Sequence, residues 1–491
     1  MKRAARALLI GLLSLPSLYA CDEQVRSDSS PSLPTAFEGD LKGKAIVKIQ
    51  DMSSGKLAVL AETLKHQVYA GAAAYVHDHA RSVYLKQGLQ WQEIALPSSL
   101  SQDSFVTDIA SVRDGQHLLI SAVKIDKDNA LRHVLLVVAV KASTEPLIVQ
   151  SLETELATFP ELEGPADKLP PAVRYLPHHT LNVGSLALDK DRVTLAARNS
   201  QGSLYVDTFR WQQGRLESQG RLAISPPVVA IRVGMTGGSY DVMGQLISKY
   251  RVHSKFLPDG RLVIASSEFG RASTLAAKFG QEAIANIPEN AVGYFAMLST
   301  LSADGRSLLH RQLKFWGSGE DPIHGLVVHG AQDAFIFGSD RDYADDQAGR
   351  ASLALSVSTS SDPQIFTLGE ASASAHTALC PERKTCVVAG SWRWTQNPEG
   401  LSISGGDAYL GFAAADFSSL DVQEPLWPDI LGSGRSEVRD LQLVDGQWVC
   451  AAGMMHGPDT HMGDGDVQRI VADGFIRCLP LSKVPNQVTQ P

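Results

Sequence analysis

Beyond its first twenty residues the chain has no apolar run of the ~18 residues that a spanning helix needs, which excludes a polytopic helical membrane protein. Basic residues are in deficit. Lys and Arg number 44 against 53 Asp and Glu, for a formal net charge of −9, and this balance argues against nucleic acid as the main partner. Motifs that would name a chemistry are missing: no Gly-x-Ser-x-Gly elbow, no Gly-rich phosphate loop before Lys-Ser/Thr, no His-Glu-x-x-His, no EF-hand loop and no Cys-x₂-Cys pair. Charged residues make up 20 % and hydrophobic residues 44 %, the balance of a globular chain. The 491 residues allow about three domains of ~150 residues, or one large all-β domain.

The N-terminus is the most specific signal present. Lys2, Arg3 and Arg6 precede a short apolar stretch, Ala7 to Leu18, broken by Pro16. This is a signal h-region, too short to span a bilayer. It ends in Leu18-Tyr19-Ala20-Cys21, which resembles the lipobox of bacterial lipoproteins, with Tyr19 where a small residue is usual. The resemblance implies cleavage of residues 1–20, acylation of Cys21 and a lipid bilayer as partner through the acyl chains; the alternative is an ordinary signal peptide cut after Ala20. Each buried methylene contributes ~0.8 kcal/mol to such an anchor. Asp22 directly after the cysteine resembles an inner-membrane retention signal, which implies an envelope protein facing the periplasm, with outer membrane or surface as alternatives. Residues 21–41, rich in Ser, Pro, Asp and Glu, read as a tether.

Four of the five cysteines then remain. An even number in an exported protein suggests disulfides, and the favoured pairing is Cys380 with Cys386 and Cys450 with Cys478.

Strand patterns recur along the chain. Tyr294–Leu298, a turn at Asp304-Gly305, Leu308–Trp316, a Gly317-Ser318-Gly319 connection, Ile323–Val328 and Ala334–Gly338 form one unit. The order repeats from Ser352 and from Tyr409, and the glycines closing the units, Gly338, Gly390 and Gly453, lie 52 and 63 residues apart. Four short strands per unit at such a period are the pattern of β-propeller blades. Units opening near Val83, His133, Tyr205, Tyr294, Ser352, Tyr409 and Gln468 predict seven blades over residues 42–480, with six or eight as alternatives and 481–491 as a tail. The last unit lacks strands, which Ala45–Gln50 and Ala72–Val76 are expected to supply, closing the ring and removing sheet edges. Gly405-Gly406-Asp407-Ala408-Tyr409 resembles the start of a blade repeat found in secreted bacterial propellers, and Gly463–Asp466 is a partial copy.

The long segments, 151–179, 225–253, 268–290, 340–349, 392–406 and 454–465, all follow a second or fourth strand and so share one face of a propeller. Within them, Arg271–Ala285 has the apolar spacing of a lid-like helix. His456, Asp459, His461 and Asp464 form the densest group of donors for a divalent metal, the one cofactor the sequence suggests, although a strand-capping role for this stretch competes. Asp340–Asp346 reads as a solvated acidic loop, and His77, His79 and His178-His179 as isolated histidines. Trp316, Trp392 and Trp394 are candidate anchors for a partner or a sugar ring. No catalytic residue is named by the sequence. The reading that follows is a binding or scaffolding lipoprotein with an envelope protein or a glycan as partner. The rival is a propeller-type hydrolase or lyase with an acidic site at the central channel, since such sites are assembled from single residues of several blades.

Overall fold

The computed structural model describes residues 36–486 with breaks, the longest at 159–183, 226–251, 340–351, 393–407, 424–435 and 457–466. In chain order the strands are β1 (Gly39–Leu41), β2 (Ala45–Asp51), β3 (Lys56–Thr63), β4 (His66–Tyr69), β5 (Ala72–His77), β6 (Ala80–Gln87), β7 (Gln90–Glu93), β8 (Ser104–Ser111), β9 (His117–Ile125), β10 (Ala130–Ala139) and β11 (Leu147–Thr158). Next come β12 (Gly184–Asp189), β13 (Arg192–Arg198), β14 (Leu204–Gln212), β15 (Arg215–Ala223), β16 (Val252–Phe256), β17 (Leu262–Arg271), helix α1 (Ala272–Phe279), β18 (Val292–Leu301) and β19 (Leu308–Gly317). The chain continues with β20 (Gly325–His329), β21 (Asp333–Ser339), β22 (Ser352–Ser356), β23 (Ile365–Leu368), β24 (Ala373–Leu379), β25 (Thr385–Trp392), β26 (Ala408–Ala414) and β27 (Leu420–Gln423). It ends with β28 (Ser436–Val444), β29 (Trp448–His456), β30 (Val467–Ile470) and β31 (Ala472–Pro480).

These strands form a β-propeller of four-stranded antiparallel blades. Six blades are each made from one stretch of chain: β2-β3-β6-β7 (blade 1), β8 to β11 (blade 2), β12 to β15 (blade 3), β16 to β19 (blade 4), β20 to β23 (blade 5) and β24 to β27 (blade 6). A seventh four-stranded sheet, β28-β29-β31-β1, is composite and joins the two ends of the described chain. The first strand of every sheet packs on the first strands of its two neighbours, from β2 round to β28 and back. Seven apolar clusters lie at the seven junctions, each drawing on two adjacent sheets; Leu60 and Ile120, for example, meet between blades 1 and 2.

This layering explains the hydropathy patterns. A second strand is covered on both faces, so β3, Lys-Leu-Ala-Val-Leu-Ala-Glu-Thr, is buried along nearly its whole length. An outermost strand is wetted, so β15 is mostly exposed. The Asp-Gly turns close first-to-second and third-to-fourth connections. Asp114 accepts hydrogen bonds from the backbone N–H groups of Gln116 (2.8 Å) and His117 (3.0 Å). Gly115 sits at φ +63°, where a Cβ would lie 2.7 Å from the carbonyl oxygen of Met52 in the neighbouring blade.

Several sequence expectations are corrected. Val83, His133, Tyr205, Tyr294, Ser352 and Tyr409 lie in third strands, so the repeat was read two strands out of phase. A repeat of alternating turns and strands has no intrinsic origin; the seam fixes it. Ala45–Gln50 is the inner strand of blade 1, and the closing strand is β1, paired Gly39↔Ile476 to Leu41↔Gly474. Residues 36–41, expected within the tether, therefore belong to the propeller. Phe37 is buried, Glu38 accepts from Cys478 N (3.0 Å), and Lys86 Nζ donates to the carbonyl oxygens of Ala36 (3.2 Å) and Gly88 (2.6 Å). The tail reading of 481–491 is also too long, because Leu481 N donates to Gln447 O (2.7 Å) and Val484 is buried at the blade 6–7 junction. Three residues is too short for β1 to show a period in sequence.

Candidate functional site: the channel and the long-connection face

Every second-to-third and fourth-to-first connection opens on one face, and the short turns close the other. Two features add to the long face. Strand β30 pairs with the β4–β5 hairpin in a three-stranded sheet that links the second-to-third connections of blades 7 and 1. Helix α1 lies in the corresponding connection of blade 4. It stops at Phe279 because Gly280 takes φ +95°, and it presents buried Ala272 and Leu275, with Ala276 and Phe279 beside them, to the apolar junction of blades 3 and 4. The helix expected over 271–285 is thus shorter and is wedged into the seam, where a lid would stand clear.

The channel is lined by the seven inner strands, and four of them share one irregularity. The ladder to the second strand slips at Ile46/Lys48, Val106/Asp108, Ala375/Thr377 and Val438/Asp440, leaving Val47, Thr107, His376 and Arg439 as bulged residues. Three of the four bulges are followed directly by a charged residue, Lys48, Asp108 or Asp440. Lys48 Nζ lies 2.6 Å from Asp108 Oδ1, and Asp108 Oδ2 accepts from Leu186 N (2.7 Å). Asp440 Oδ2 accepts from Ile49 N (2.9 Å). Each bond crosses from one blade to the next. Ser254 and Ser185 do the same between blades 4 and 3, at 3.0 to 3.2 Å.

Lys255 on β16 completes the ring. Its ammonium is open to channel solvent though enclosed by the blades; burial lowers its pKa, with Asp440 pulling the other way, Lys48 lowering it further and Asp108 opposing. Asp440 is pushed up to about 6 by burial, against Lys48, the Ile49 and Leu441 N–H groups and Lys255. Asp440 is thus a carboxyl held above its ordinary range within electrostatic reach of Lys48 and Lys255.

Nearer the long face a denser network closes the seam. Arg439 donates to both Glu437 and Glu62, while Arg81 reaches the other oxygen of Glu62 through Nε (3.2 Å), donates to Val106 O through Nη1 (3.1 Å) and stacks its guanidinium on Phe105 at 4.2 Å. Burial alone would raise Glu437, but Arg439 and then His376 outweigh it and hold it below the ordinary range. His376 Nδ1 lies 3.2 Å from Val438 O. Between blades 3 and 4, Arg198 and Glu268 form a fully buried pair at 2.6 Å.

The residues named from sequence sit elsewhere. Trp392 ends β25 on the long face in blade 6, and Trp316 lies on β19, the outer strand of blade 4, so a whole blade separates them. His456 ends β29 on the long face. Trp394, Asp459, His461, Asp464 and Cys21, together with the Asp340–Asp346 loop and His178-His179, lie outside the described residues. Both disulfides form. Cys380–Cys386 spans the first-to-second turn of blade 6. Cys450–Cys478 joins register partners on β29 and β31, so it staples two strands of blade 7. The channel charges Lys48, Asp108, Lys255 and Asp440 were missed; each lies within an inner strand, and only alignment of the inner strands puts them in register.

No family model and no curated protein matches the chain. Among solved structures it is similar to an acylaminoacyl peptidase in complex with a chloromethyl ketone (8 % identity, TM-score 0.40, 76 % of this chain, 46 % of the other). The chain thus spans less than half the length of that peptidase. It is also similar to a Dyadobacter fermentans protein of unknown function (11 %, TM-score 0.40, 89 % and 97 %). A third is a Mycobacterium tuberculosis puromycin-hydrolyzing peptidase (12 %, TM-score 0.37, 86 % and 53 %). At these identities nothing of activity carries across. The class, a β-propeller with a composite closing blade, rests on its own strand pairing.

Proposed function

We propose that the protein is a lipid-anchored envelope protein, held by Cys21, whose propeller binds a protein or glycan partner on its long-connection face. One observation carries the reading: the strand ends that lead into every long connection, together with α1 and the β4-β5-β30 sheet, share one face, while in the channel Lys48 pairs with Asp108 and Asp440 accepts from Ile49 N. Trp392, Trp394 and Trp316 are the aromatic anchors this reading assigns, and His456, Asp459, His461 and Asp464 the place for a divalent ion. Asp22 favours the inner membrane, facing the periplasm. Cross-linking mass spectrometry and glycan binding on the acylated protein test it: contacts concentrated on 268–290, 392–406 and 454–465 support the proposal, and contacts spread equally over both faces refute it. The anchor has its own test, because Cys21→Ser should release the protein from the membrane fraction.

A second reading is a hydrolase or lyase acting at the channel. What favours it is Asp440, a carboxyl at about 6 on blade 7, near Lys255 of blade 4. A hydrolytic activity found by substrate screening and lost in Asp440→Asn would establish it.

A further inference from the structure

On the turn face, away from the long connections, His329 ends the inner strand of blade 5, and Cys380 and Cys386 flank the first turn of blade 6. The imidazole and the two sulfurs all lie within 4.8 Å of one another. Cys386 is buried among Val327, Phe335, Phe337 and Val388, while Cys380 is half-buried and within reach of an external thiol. The other disulfide differs on both counts: Cys450 and Cys478 are buried in the blade 7–1 junction, and among the described residues no histidine groups with them.

The geometry points to a redox-gated metal site: when Cys380–Cys386 is reduced, the two thiolates and His329 bind a thiophilic divalent ion of the zinc class. A dithiol reductant supplies two electrons and two protons. The S–S bond breaks, two S–H bonds form, and the reductant leaves as its own disulfide. The ion then displaces both thiol protons, because thiolate and neutral imidazole are the ligating forms. At Zn–S of ~2.3 Å and Zn–N of ~2.0–2.1 Å, tetrahedral donors stand roughly 3.4–3.8 Å apart, inside the spread that these three atoms already occupy. Opening the disulfide lets its sulfurs separate to that distance without moving either strand far. Three protein ligands leave a fourth position to water, and the aromatic and aliphatic wall around Cys386 suits a soft ion. In the oxidised protein neither sulfur is an anionic donor, so the site exists only after reduction.

The test uses the full-length protein treated with dithiothreitol without denaturant, with thiol mapping to show Cys380 and Cys386 free and Cys450–Cys478 intact. After anaerobic removal of the reductant, Co²⁺ is titrated as the probe. A single Co²⁺ per chain should bind with a thiolate-to-cobalt charge-transfer band, be displaced by Zn²⁺, and be absent from oxidised protein. His329→Ala should weaken binding by at least the roughly tenfold that loss of an outer-shell partner costs; His329→Gln, closer in bulk, should do likewise and guards against a packing defect. The proposal is overturned by a bond that resists the dithiol, by reduced protein without the band, by cobalt bound without thiolate absorption, or by equal affinity in wild type and both His329 variants.

Discussion

Replacing Asp440 by Asn should change how stability depends on pH, in a direction fixed by the channel. Ordinary aspartate titrates near 3.9, and in the folded protein Asp440 is pushed up to about 6. Its protonated form is therefore the one that folding favours. That stabilisation is complete below the unfolded value and is lost as pH rises through the folded value, between about 4 and 6. A shift of two units corresponds to about 2.7 kcal/mol as an upper bound. The channel admits solvent, so screening brings the expected change to about 1–2 kcal/mol. Asparagine stays neutral at every pH and keeps a carbonyl oxygen for the Ile49 N–H now held at 2.9 Å. All other groups titrate in both proteins and cancel in the difference, apart from Lys48 and Lys255, which lose an attractive neighbour only where Asp440 would be ionised. Urea denaturation at intervals from pH 4 to 7.5 gives the difference directly, provided the m-value holds constant. The variant should gain on wild type by about 1–2 kcal/mol across the interval. Parallel stability curves would show that Asp440 ionises freely and that its burial has been misjudged.

Phe37→Ala should cost about 3–5 kcal/mol in denaturant unfolding, because its ring is wholly buried in the blade 7–1 junction; a loss below ~0.5 kcal/mol would return residue 37 to the tether. Cys450→Ser with Cys478→Ser should cost about 3–4 kcal/mol for a 28-residue separation and expose β31 to protease, whereas peptide mapping that finds either as a free thiol in the parent would contradict the pairing. Arg439→Met leaves Glu62 and Glu437 without their shared cation and should cost about 2–3 kcal/mol, the arginine keeping some solvent contact. Adding Glu62→Gln and Glu437→Gln should recover part of that loss, and an additive triple variant would refute the network.

What was legible in the sequence followed from local rules. Asp-Gly turns need left-handed backbone, and second strands covered on both faces read as unbroken apolar runs, so Ala334–Gly338, Val387–Gly390 and Val449–Gly453 stood out and gave the propeller. The phase did not follow, because phase depends on β1 meeting β31 more than four hundred residues later. The channel charges were hidden for a related reason. Lys48, Asp108, Lys255 and Asp440 sit among other polar residues in strands of five to nine residues, and only the ring of inner strands turns them all to the channel. The pairing of Cys450 with Cys478 was legible while its mechanical role was not, since the latter required knowing that β29 and β31 are neighbours in one blade.

The composite blade also bears on which way the face proposed for binding would point. In each sheet the inner strand runs from the long-connection face to the turn face, and the outermost strand runs back. β1 is the outermost strand of blade 7, so the chain arriving from the N-terminus enters on the turn face, at Ala36, Phe37 and Glu38. About 15 residues separate that point from Cys21, and as a random coil a stretch of this length would span roughly 20 Å. An anchor on so short a leash would keep the turn face nearest the bilayer and present the long connections outward, where a partner could reach them. Single cysteines labelled with a fluorophore on the two faces, in protein anchored to vesicles carrying a headgroup quencher, measure this. Labels at Lys190 or Asp445, on turns, should be quenched more than labels at Lys278 on α1. Equal quenching would mean that the tether leaves the propeller free to tumble, and stronger quenching at Lys278 would place the long connections against the membrane.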